Sequence, residues 1–570
     1  MTRLTYALTG SQPGEEDHFF VDALDPARWQ PLGQGDDLGD WDTLWKVGMP
    51  PPEAFQRVQD GRTVNHIPGN GCITVKSALA DTLGGLEQRL AAAHGADSDL
   101  THRARFHPRT YVMPRDRDAL WTVGMPTAEA FQRVQDGRTV NHIPGNGCVT
   151  VKSALADTLG GLEQRLAAAH GSDSDPARRA RFHPRTFVIP RDRDALRFAA
   201  AGDPGQLWLQ KPENSSRGRG IALLSTPAAA PAEPGWIVQS YQARPHLIDG
   251  RKYVLRLYVL IRSVEPLRVY LYGEGFAKLA SRPYTLESLH DPFVHQTNPD
   301  INAGNRAVDD PVVFIELADY RQRLRREGHD PGALFHRLRE LITITMLAGR
   351  ETMRRDTLAR GADPGGCYEL LGLDCLVDTE LQPWLLECNL NPSLGVFAAP
   401  ADGGRREAAI KRAMVEDLVN LVGLNADPEA DEVATLQREA ADAGGFERLY
   451  PGPDPADQWQ FLPYPRPSDA RVVEALQGSA PPPPPLRPWR VREQIDEQGL
   501  HLYDETRERW LAPNPTAALI WLHAVEGRPP AAIAARLPGA EDPAAVTAAV
   551  WETLADWARD GLLIQAPPDS

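Results

Sequence analysis

Cysteine is scarce. Five occur in 570 residues, Cys72, Cys148, Cys367, Cys375 and Cys388, and none forms the CxxC spacing of a zinc or redox site. This excludes a disulfide framework and makes a reducing compartment the expectation. Long apolar runs are missing too: the most apolar stretch, YVLRLYVLI at 253–261, is half a membrane span and contains Arg256. The first twenty residues lack the apolar core of a signal peptide, so a cytoplasmic chain with no membrane association is expected. Basic charge is in deficit, with 61 Lys and Arg against 77 Asp and Glu for a formal net charge of -16. That argues against a non-specific nucleic-acid or polyanion binder, which needs a basic footprint.

What is present reads as an ordinary multi-domain chain. Apolar residues make up 42% and charged residues 24%, and the length gives a prior of about three to four domains. Proline (51) and glycine (47) are in excess, which marks long punctuated segments between domains.

Residues 44–119 recur at 120–195 with a period of 76, and 66 of the 76 positions are identical. Both copies contain AFQRVQDGRTVNHIPGNGC, VKSALADTLGGLEQRLAAAHG, ARFHPRT and PRDRDA. Two copies this alike indicate a tandem duplication and not a solenoid, which needs at least three units. Either both copies work, or one occupies the fold and the other is spare. The second runs directly into the remaining chain through Phe187, Val188, Ile189 and Pro190, so it is the copy expected to dock on the core. A second boundary is compositional: 465–488 contains PRPSD and the run Pro481 to Pro485, expected as an extended linker.

Between 205 and 400 the pattern is mainly strands: LWLQKP, GIALLS, GWIVQSY, KYVLRLYVLI, RVYLYGEG, CYELLGLDCLVD and PWLLECNLN, with one long helix near 333–360. Asn214 to Gly220 reads NSSRGRG between two of them, a flexible loop whose amides and guanidinium groups could cover a polyphosphate, with Lys211 just before it. Alternation along 252–260 places Lys252, Val254, Arg256 and Tyr258 on one face, and Tyr253, Leu255, Leu257 and Val259 on a core face. If DTELQP forms a four-residue loop (379–382), Asp378 faces Pro383, Asp374 faces Glu387, and Asn389 lies beside Glu387 opposite Gly372. Like charges facing across a ladder and embedded among Leu, Cys and Trp are costly unless a cation lies between them. Two carboxylates and an amide oxygen on rigid strands suit Mg²⁺ that also holds phosphate oxygens.

These residues resemble the tubulin tyrosine ligase-like family of ATP-grasp enzymes, which join an amino acid to a peptide or protein. The match runs from about 40 to 450 and includes VNHIPG, VKSAL, FHPRTFVIP, QKPENSSRGRGI, IVQSY, LIDGRKYVLRLYVL, YLYGEGFAKLA, HQTN, ELLGLDCLVD and LQPWLLECNLNPSL. The resemblance implies ATP and Mg²⁺. Lys211 and Lys252 would contact the phosphates, with Ser216, Arg217, Gly218 and Gly220 in the covering loop. Ile237–Tyr241 would form the adenine hinge, with Gln239 at the base and Tyr241 closing the segment. Arg256 and Lys278 would form the catalytic set, Arg256 facing the transferred phosphate, and Asp374, Glu387 and Asn389 would hold the metal. Asn298 would lie at the terminal phosphate, and Lys152 (or Lys76 in the first copy) in the same cleft. His142 and His295 are expected to be structural. Two positions depart from the family pattern: Val254 stands where an acid is usual, and Lys278 where an arginine is usual. Lysine keeps the charge but not the bidentate fork.

Residues 489–570 are expected to form a separate module. HLYDETRERWLA reads as a hairpin, Asn514–Pro515 and Asp542–Pro543 as helix starts, and Val546, Val550, Leu554 and Trp557 as an apolar helical stripe. The module resembles PqqD-like domains, winged-helix folds that bind the leader segment of a precursor peptide. A DNA-binding reading lacks its electrostatic footprint, since 486–570 carries eight Arg, no Lys and thirteen acids, a net of -5.

The expected architecture is therefore an α/β chain. Its parts are an N-terminal segment (1–43), a spare repeat (44–119), the ligase N-terminal subdomain (120–195) and an ATP-grasp core (196–424). A helical tail (425–464), a proline-rich linker (465–488) and a winged-helix module (489–570) complete it. The expected function is ATP-dependent amide formation between an amino-acid co-substrate and a peptide or protein, here a ribosomal precursor peptide held by the module. The alternative is a degenerate ATP-binding scaffold that holds a peptide for another enzyme.

Overall fold

The computed structural model describes residues 139–567 except 214, 216–217, 310, 399–403, 425–430 and 539–541. Before residue 139 it describes six short segments: 4–9, 26–27, 29–31, 43–46, 63–64 and 119–120. The chain divides into two compact units, residues 1–117 and 118–570. In the first unit, β1 (Leu4–Thr9), β2 (Trp29–Pro31), β3 (Thr43–Lys46) and β4 (Thr63–Val64) form a parallel sheet in the order β2-β1-β3-β4. Of the first repeat (44–119), only 44–46, 63–64 and 119 are described, and Lys76 lies outside the described residues.

The second unit opens with the parallel pair β5 (Ala119–Leu120) and β6 (Thr139–Val140). Helix α1 (Lys152–His170) follows and buries Leu155, Leu159, Leu162, Leu166 and Ala169, the three- and four-residue spacing of one helical face. This second copy is fastened to the core by a buried polar lock. Glu369 accepts from His142 Nδ1 at 3.1 Å, Ile143 N at 3.0 Å and Asn146 Nδ2 at 2.8 Å. His142 and Glu369 are both fully buried, so each is the compensation the other requires. His142 is structural here, as expected.

A small antiparallel sheet comes next, ordered β7-β10-β8-β9: β7 (Thr186–Ile189), β8 (Trp208–Pro212), β9 (Ala222–Leu224) and β10 (Trp236–Ser240). Helix α2 (Arg193–Gly202) covers it through Leu196 and Ala199 against Phe187, Trp208 and Val238.

The main sheet has seven strands. They are β11 (Leu247–Ile248), β12 (Arg251–Val264), β13 (Leu267–Leu279), β14 (Phe314–Glu316), β15 (Glu369–Val377), β16 (Pro383–Leu390) and β17 (Phe446–Tyr450). The order β14-β13-β12-β15-β16 is antiparallel throughout, with β11 on β12 and β17 on β13. Helix α3 (Leu317–Arg326) and the 29-residue α4 (Pro331–Ala359) join β14 to β15. One sheet face, with Tyr253, Leu255, Leu257, Val259 and Ile261 of β12, packs in the same core as Leu334, Leu338, Leu341 and Ile342 of α4. On the other face α5 (Arg405–Val422) brings Met414, Leu418 and Leu421 onto Tyr258, Leu260, Tyr270 and Tyr272. That cover acts only from Tyr258 onward, and the same face nearer the start of β12 carries Lys252, Val254 and Arg256 into a cleft.

After α6 (Glu432–Ala441) the expected helical tail departs from its reading, because β17 joins the main sheet there. The expected linker departs further. Residues 467–477 form helix α7 (Pro467–Gln477), with Pro467, Ser468, Asp469, Val472 and Val473 buried, and the proline run 481–485 is neither helix nor strand. Proline at the first helical position favours a start, and the apolar pair Val472–Val473 gives the helix a buried face.

The C-terminal part holds a two-stranded pair of β18 (Leu486–Pro488) with β22 (Leu563–Gln565). It also holds an antiparallel sheet of β19 (Val491–Asp496), β20 (Gly499–Asp504) and β21 (Arg509–Leu511). Helices α8 (Pro515–Val525) and α9 (Pro543–Arg559) begin at Asn514 and Asp542, whose side chains accept from Ala517 N and from Ala544 and Ala545 N. Val550 and Leu554 are buried with Ile520 and Trp521, and Val546 and Trp557 pack on them. This part does not hang on a tether. Arg466 donates to Glu351 of α4 at 2.7 Å and to Asp556 of α9 at 3.0 Å, and also bonds Glu552. Trp551 Nε1 donates to Pro465 O at 2.8 Å. No described helix is long and apolar enough to cross a membrane.

Candidate functional site

Strand alternation puts Lys252, Val254 and Arg256 on the uncovered face of β12, and the ladder builds the rest. Arg256 lies opposite Asp374 on β15, Asp374 opposite Glu387 on β16, and Gly372 opposite Asn389. Val254 lies opposite Lys278 on β13. Two cations on β12 and β13, Arg256 and Lys278, therefore stand beside two carboxylates on β15 and β16, Asp374 and Glu387. Arg256 donates to Asp374 through Nε at 2.7 Å and a terminal nitrogen at 3.2 Å, and Lys278 Nζ reaches both carboxylate oxygens at 3.0 and 2.9 Å.

The two carboxylates face each other as expected, but the turn does not. Val377, not Asp378, pairs with Pro383, so the loop spans five residues, 378–382. A bulge between Asp374 and Cys375 leaves Leu386 unpaired and restores the register at the site. Asp378 instead closes the turn, accepting from Glu380 N and Gln382 N at 2.9 Å and from Trp384 Nε1 at 2.9 Å.

The small sheet supplies the other wall. Lys211 of β8 donates to Gln239 Oε1 at 2.8 Å, and Gln239 Nε2 donates to Thr186 Oγ1 at 2.8 Å. Lys252 Nζ donates to the Tyr241 hydroxyl at 3.1 Å and lies 4.4 Å from the ring centroid. Tyr241 in turn meets His295 Nδ1 at 3.0 Å, while His295 Nε2 meets Ser288 O at 3.1 Å. Gln239 and Tyr241 thus stand behind the cleft and position its two lysines. Neither lines it, in contrast to the base contact expected for Gln239.

The cleft contains about 930 Å³ of open space and brings together Lys152, Lys211, Gly218, Lys252, Arg256, Lys278, Asn298, Asp374, Glu387 and Asn389. Lys152 Nζ donates to Ser215 O at 2.9 Å and lies 3.7 Å from Glu387. Asn298 accepts from Asp300 N at 2.8 Å and reaches the cleft edge. Gly220 lies beside the cleft with φ +74, where a Cβ would meet Pro212 Cγ at 2.7 Å. Ser216 and Arg217 of the glycine-rich loop lie outside the described residues. Arg219, one of the two arginines of the glycine-rich stretch, lines the cleft, while sequence reasoning missed Gln296, Thr297 and the cleft position of His295, for which a histidine in HQTN gave no signal of its own. It also missed Gly372, where a Cβ would stand 2.8 Å from Pro392 Cβ and 3.3 Å from Arg256 Cδ.

Burial and neighbouring charges shift the ionisable groups of the cleft. Burial lowers the Lys252 ammonium to about 7, and Lys211 beside it adds to the effect. Burial also lowers Lys211 to about 8, against the attraction of Glu387 and with the repulsion of Lys152. Burial would raise the Asp374 carboxyl, but the Arg256 and Lys278 charges overcome it and hold Asp374 well below the usual range. Lys278 is lowered by burial and by Arg256, with Asp374 opposing.

A second cavity of about 1020 Å³ adjoins the first and shares Arg256, Lys278, Asn298 and Asn389 with it. Its far side holds Lys411, which donates to Glu407 at 2.6 Å.

Comparison with known proteins agrees with this geometry. The model of the tubulin-tyrosine ligase family matches residues 132–430, just over half of the chain. Tubulin monoglutamylase TTLL4 of Homo sapiens is 29% identical over 313 residues, covering 53% of this chain and 25% of the relative. Tubulin polyglutamylase TTLL5 of Homo sapiens is 31% identical over 336 residues, covering 56% and 24%. The probable beta-tubulin polyglutamylase of Tetrahymena thermophila is 26% identical over 386 residues, covering 60% and 31%. The chain belongs to the tubulin-tyrosine ligase family. The matching region spans only about a quarter to a third of these three relatives, and the family match ends before α6.

Proposed function

We propose that the protein is an ATP-dependent carboxylate–amine ligase that adds an amino acid to a peptide or protein. The observation that carries the reading is the pair of buried, charge-depressed lysines, Lys211 and Lys252, facing Asp374, Glu387 and Asn389 across one cleft. Two neighbouring ammonium groups out of water are unfavourable until an anion meets them, and a polyphosphate does so. Three hard oxygen donors on adjacent strands fit Mg²⁺, which when bound would neutralise phosphate charge.

Lys211, Lys252 and Lys152 hold the phosphates, and Gln239 and Tyr241 keep the first two in place. Arg256 and Lys278 stand where the two cavities meet, so they stabilise charge on a phosphoryl group passing from nucleotide to a substrate carboxylate. The products of that transfer are ADP and an acyl phosphate, from which an amine displaces phosphate to leave an amide. Ser215, Gly218 and Arg219 line the cleft and would help to keep water from the acyl phosphate. The cationic second cavity, with Arg256, Lys278 and Lys411, suits an acidic amino acid, and the relatives are named for glutamate transfer.

The C-terminal part is read as a PqqD-like docking module for a precursor peptide. Among the described residues β21 pairs only with β20, which leaves an edge able to accept an added strand, and Trp510 on β21 and Leu519 on α8 are exposed. Because Arg466 fixes this part to α4, it would present the peptide from a set position. Incubating the full chain with MgATP, each amino acid in turn and acidic peptides, with ADP and peptide mass measured, tests the reading. ADP release coupled to one added residue is expected; ADP release without mass gain, or none at all, contradicts it.

A further inference from the structure

We propose that His246, Glu327 and His329 form a transition-metal site, suited to Zn²⁺, separate from the nucleotide cleft. Among the described residues they are the one group of three or more His, Cys, Asp or Glu whose candidate donor atoms all lie within 4.8 Å of one another. His246 Nε2 and Glu327 Oε2 are 3.6 Å apart. Zinc bonds of about 2.0–2.2 Å put donor atoms about 3.3 Å apart in a tetrahedron, so small side-chain rotations complete the set. None of the three residues lines either cavity of the ligase site.

The surroundings orient each donor. His246 Nδ1 is 3.0 Å from the Tyr253 hydroxyl, which is itself 2.8 Å from the Tyr320 hydroxyl. The ring stands edge-on to Tyr253 and to His329, with centroids 5.8 and 5.6 Å away. This occupies one ring nitrogen and aims the other at Glu327, beyond hydrogen-bond distance, the arrangement that metal-binding histidines use. Glu327 Oε1 accepts from Arg323 Nε at 2.8 Å, which leaves Oε2 turned to the histidines. Arg323, the cation beside the group, is also held by Asp249 at 2.6 and 3.1 Å. Glu327 caps α3 and His329 N donates to Leu324 O at 2.9 Å, so two donors sit on a fixed helical C-terminus, whose dipole favours a cation. The third is fixed by His246 N donating to Val377 O at 2.9 Å.

Two imidazoles and a carboxylate are the donor set of zinc sites that keep a fourth position for water. Metal here ties the end of α3 to the segment that leads into β12, the strand that carries Lys252 and Arg256.

The test is Co²⁺ titration of the chelator-stripped full chain, followed by Zn²⁺ displacement. Expected is one equivalent with the intense visible bands of four-coordinate Co²⁺, unchanged in Glu387→Gln. Binding should weaken in His246→Ala and in His329→Gln by more than the roughly 10- to 100-fold that loss of an outer partner costs. Zn²⁺ should also raise the melting temperature of the unaltered chain and not of either variant. His329→Gln lies on a partly exposed turn and keeps the test valid if His246→Ala fails to fold. No four-coordinate spectrum, or a spectrum lost in Glu387→Gln and kept in both histidine variants, overturns the proposal and leaves His246 and Glu327 as neighbours that hold no metal.

Discussion

Nucleotide binding should take up protons, in an amount the cleft specifies. Lys252 is lowered to about 7 and Lys211 to about 8. At about pH 8 the free protein therefore carries roughly 0.9 and 0.5 of a neutral lysine at these positions, and phosphates that restore both charges draw about 1.4 protons per nucleotide. At about pH 6 both lysines are already charged and the uptake falls to about 0.1. Affinity should accordingly drop by about two to three orders of magnitude as pH rises from about 7 to 9. The stability of the free protein runs the other way. A lysine with a lowered folded pKa binds fewer protons than in the unfolded chain, so this pair favours folding increasingly as pH rises from about 7 towards 10. Calorimetric titration with MgATP in buffers of different ionisation enthalpy reads the proton count directly. Lys252→Met should cut the uptake at about pH 8 to roughly half a proton or less. An uptake near zero at about pH 8 in the unaltered chain would refute the reasoning, since either the lysines are ordinary or the phosphates do not meet them.

Other perturbations test separate parts. Glu387→Gln should abolish ADP formation while the fold, read by melting temperature, is kept. Gly372→Ala places a Cβ against Pro392 and Arg256, so turnover should fall at least tenfold and stability by about 1–3 kcal/mol, measured by assay and denaturant titration. Arg466→Met leaves Glu351, Glu552 and Asp556 without their shared cation, at a cost of about 3 kcal/mol measurable by urea unfolding. His142→Ala strips Glu369 of one buried partner and should cost about 2–4 kcal/mol, with a lower melting temperature.

The site was largely legible because strand alternation is a local rule. Lys252, Val254 and Arg256 share a face whatever lies across the ladder, and the facing of Asp374 and Glu387 followed once a hairpin was drawn. The bulge at Leu386 was not legible, since a run of Leu, Glu and Cys gives no sign of an extra residue, and the turn was misplaced by one. The two departures from the family pattern gain meaning only from pairing. Val254 and Lys278 are cross-strand neighbours, so the missing acid would have stood opposite this cation, which pairs with Asp374 instead. Gln239 and Tyr241 were assigned to nucleotide from the resemblance. Their hydrogen bonds with Lys211 and Lys252 are long-range contacts that the sequence did not signal.

Proline misled more than any other residue. The run at 481–485 coloured the whole segment as linker, while Pro467 starts a helix whose Asp469 pairs with Arg350 of α4 at 2.7 Å. That helix and β17 tie the C-terminal part to the core through contacts distant in sequence. The helix starts at Asn514 and Asp542, by contrast, depend on neighbouring residues only, and both were read correctly.

The most direct test of the ligase account follows oxygen. With MgATP, an amino acid and an acceptor peptide labelled with ¹⁸O in its carboxylates, the released phosphate should carry one ¹⁸O for each amide formed, because the carboxylate oxygen leaves with the phosphoryl group. Phosphate without label, in a reaction that still consumes ATP, would contradict the account.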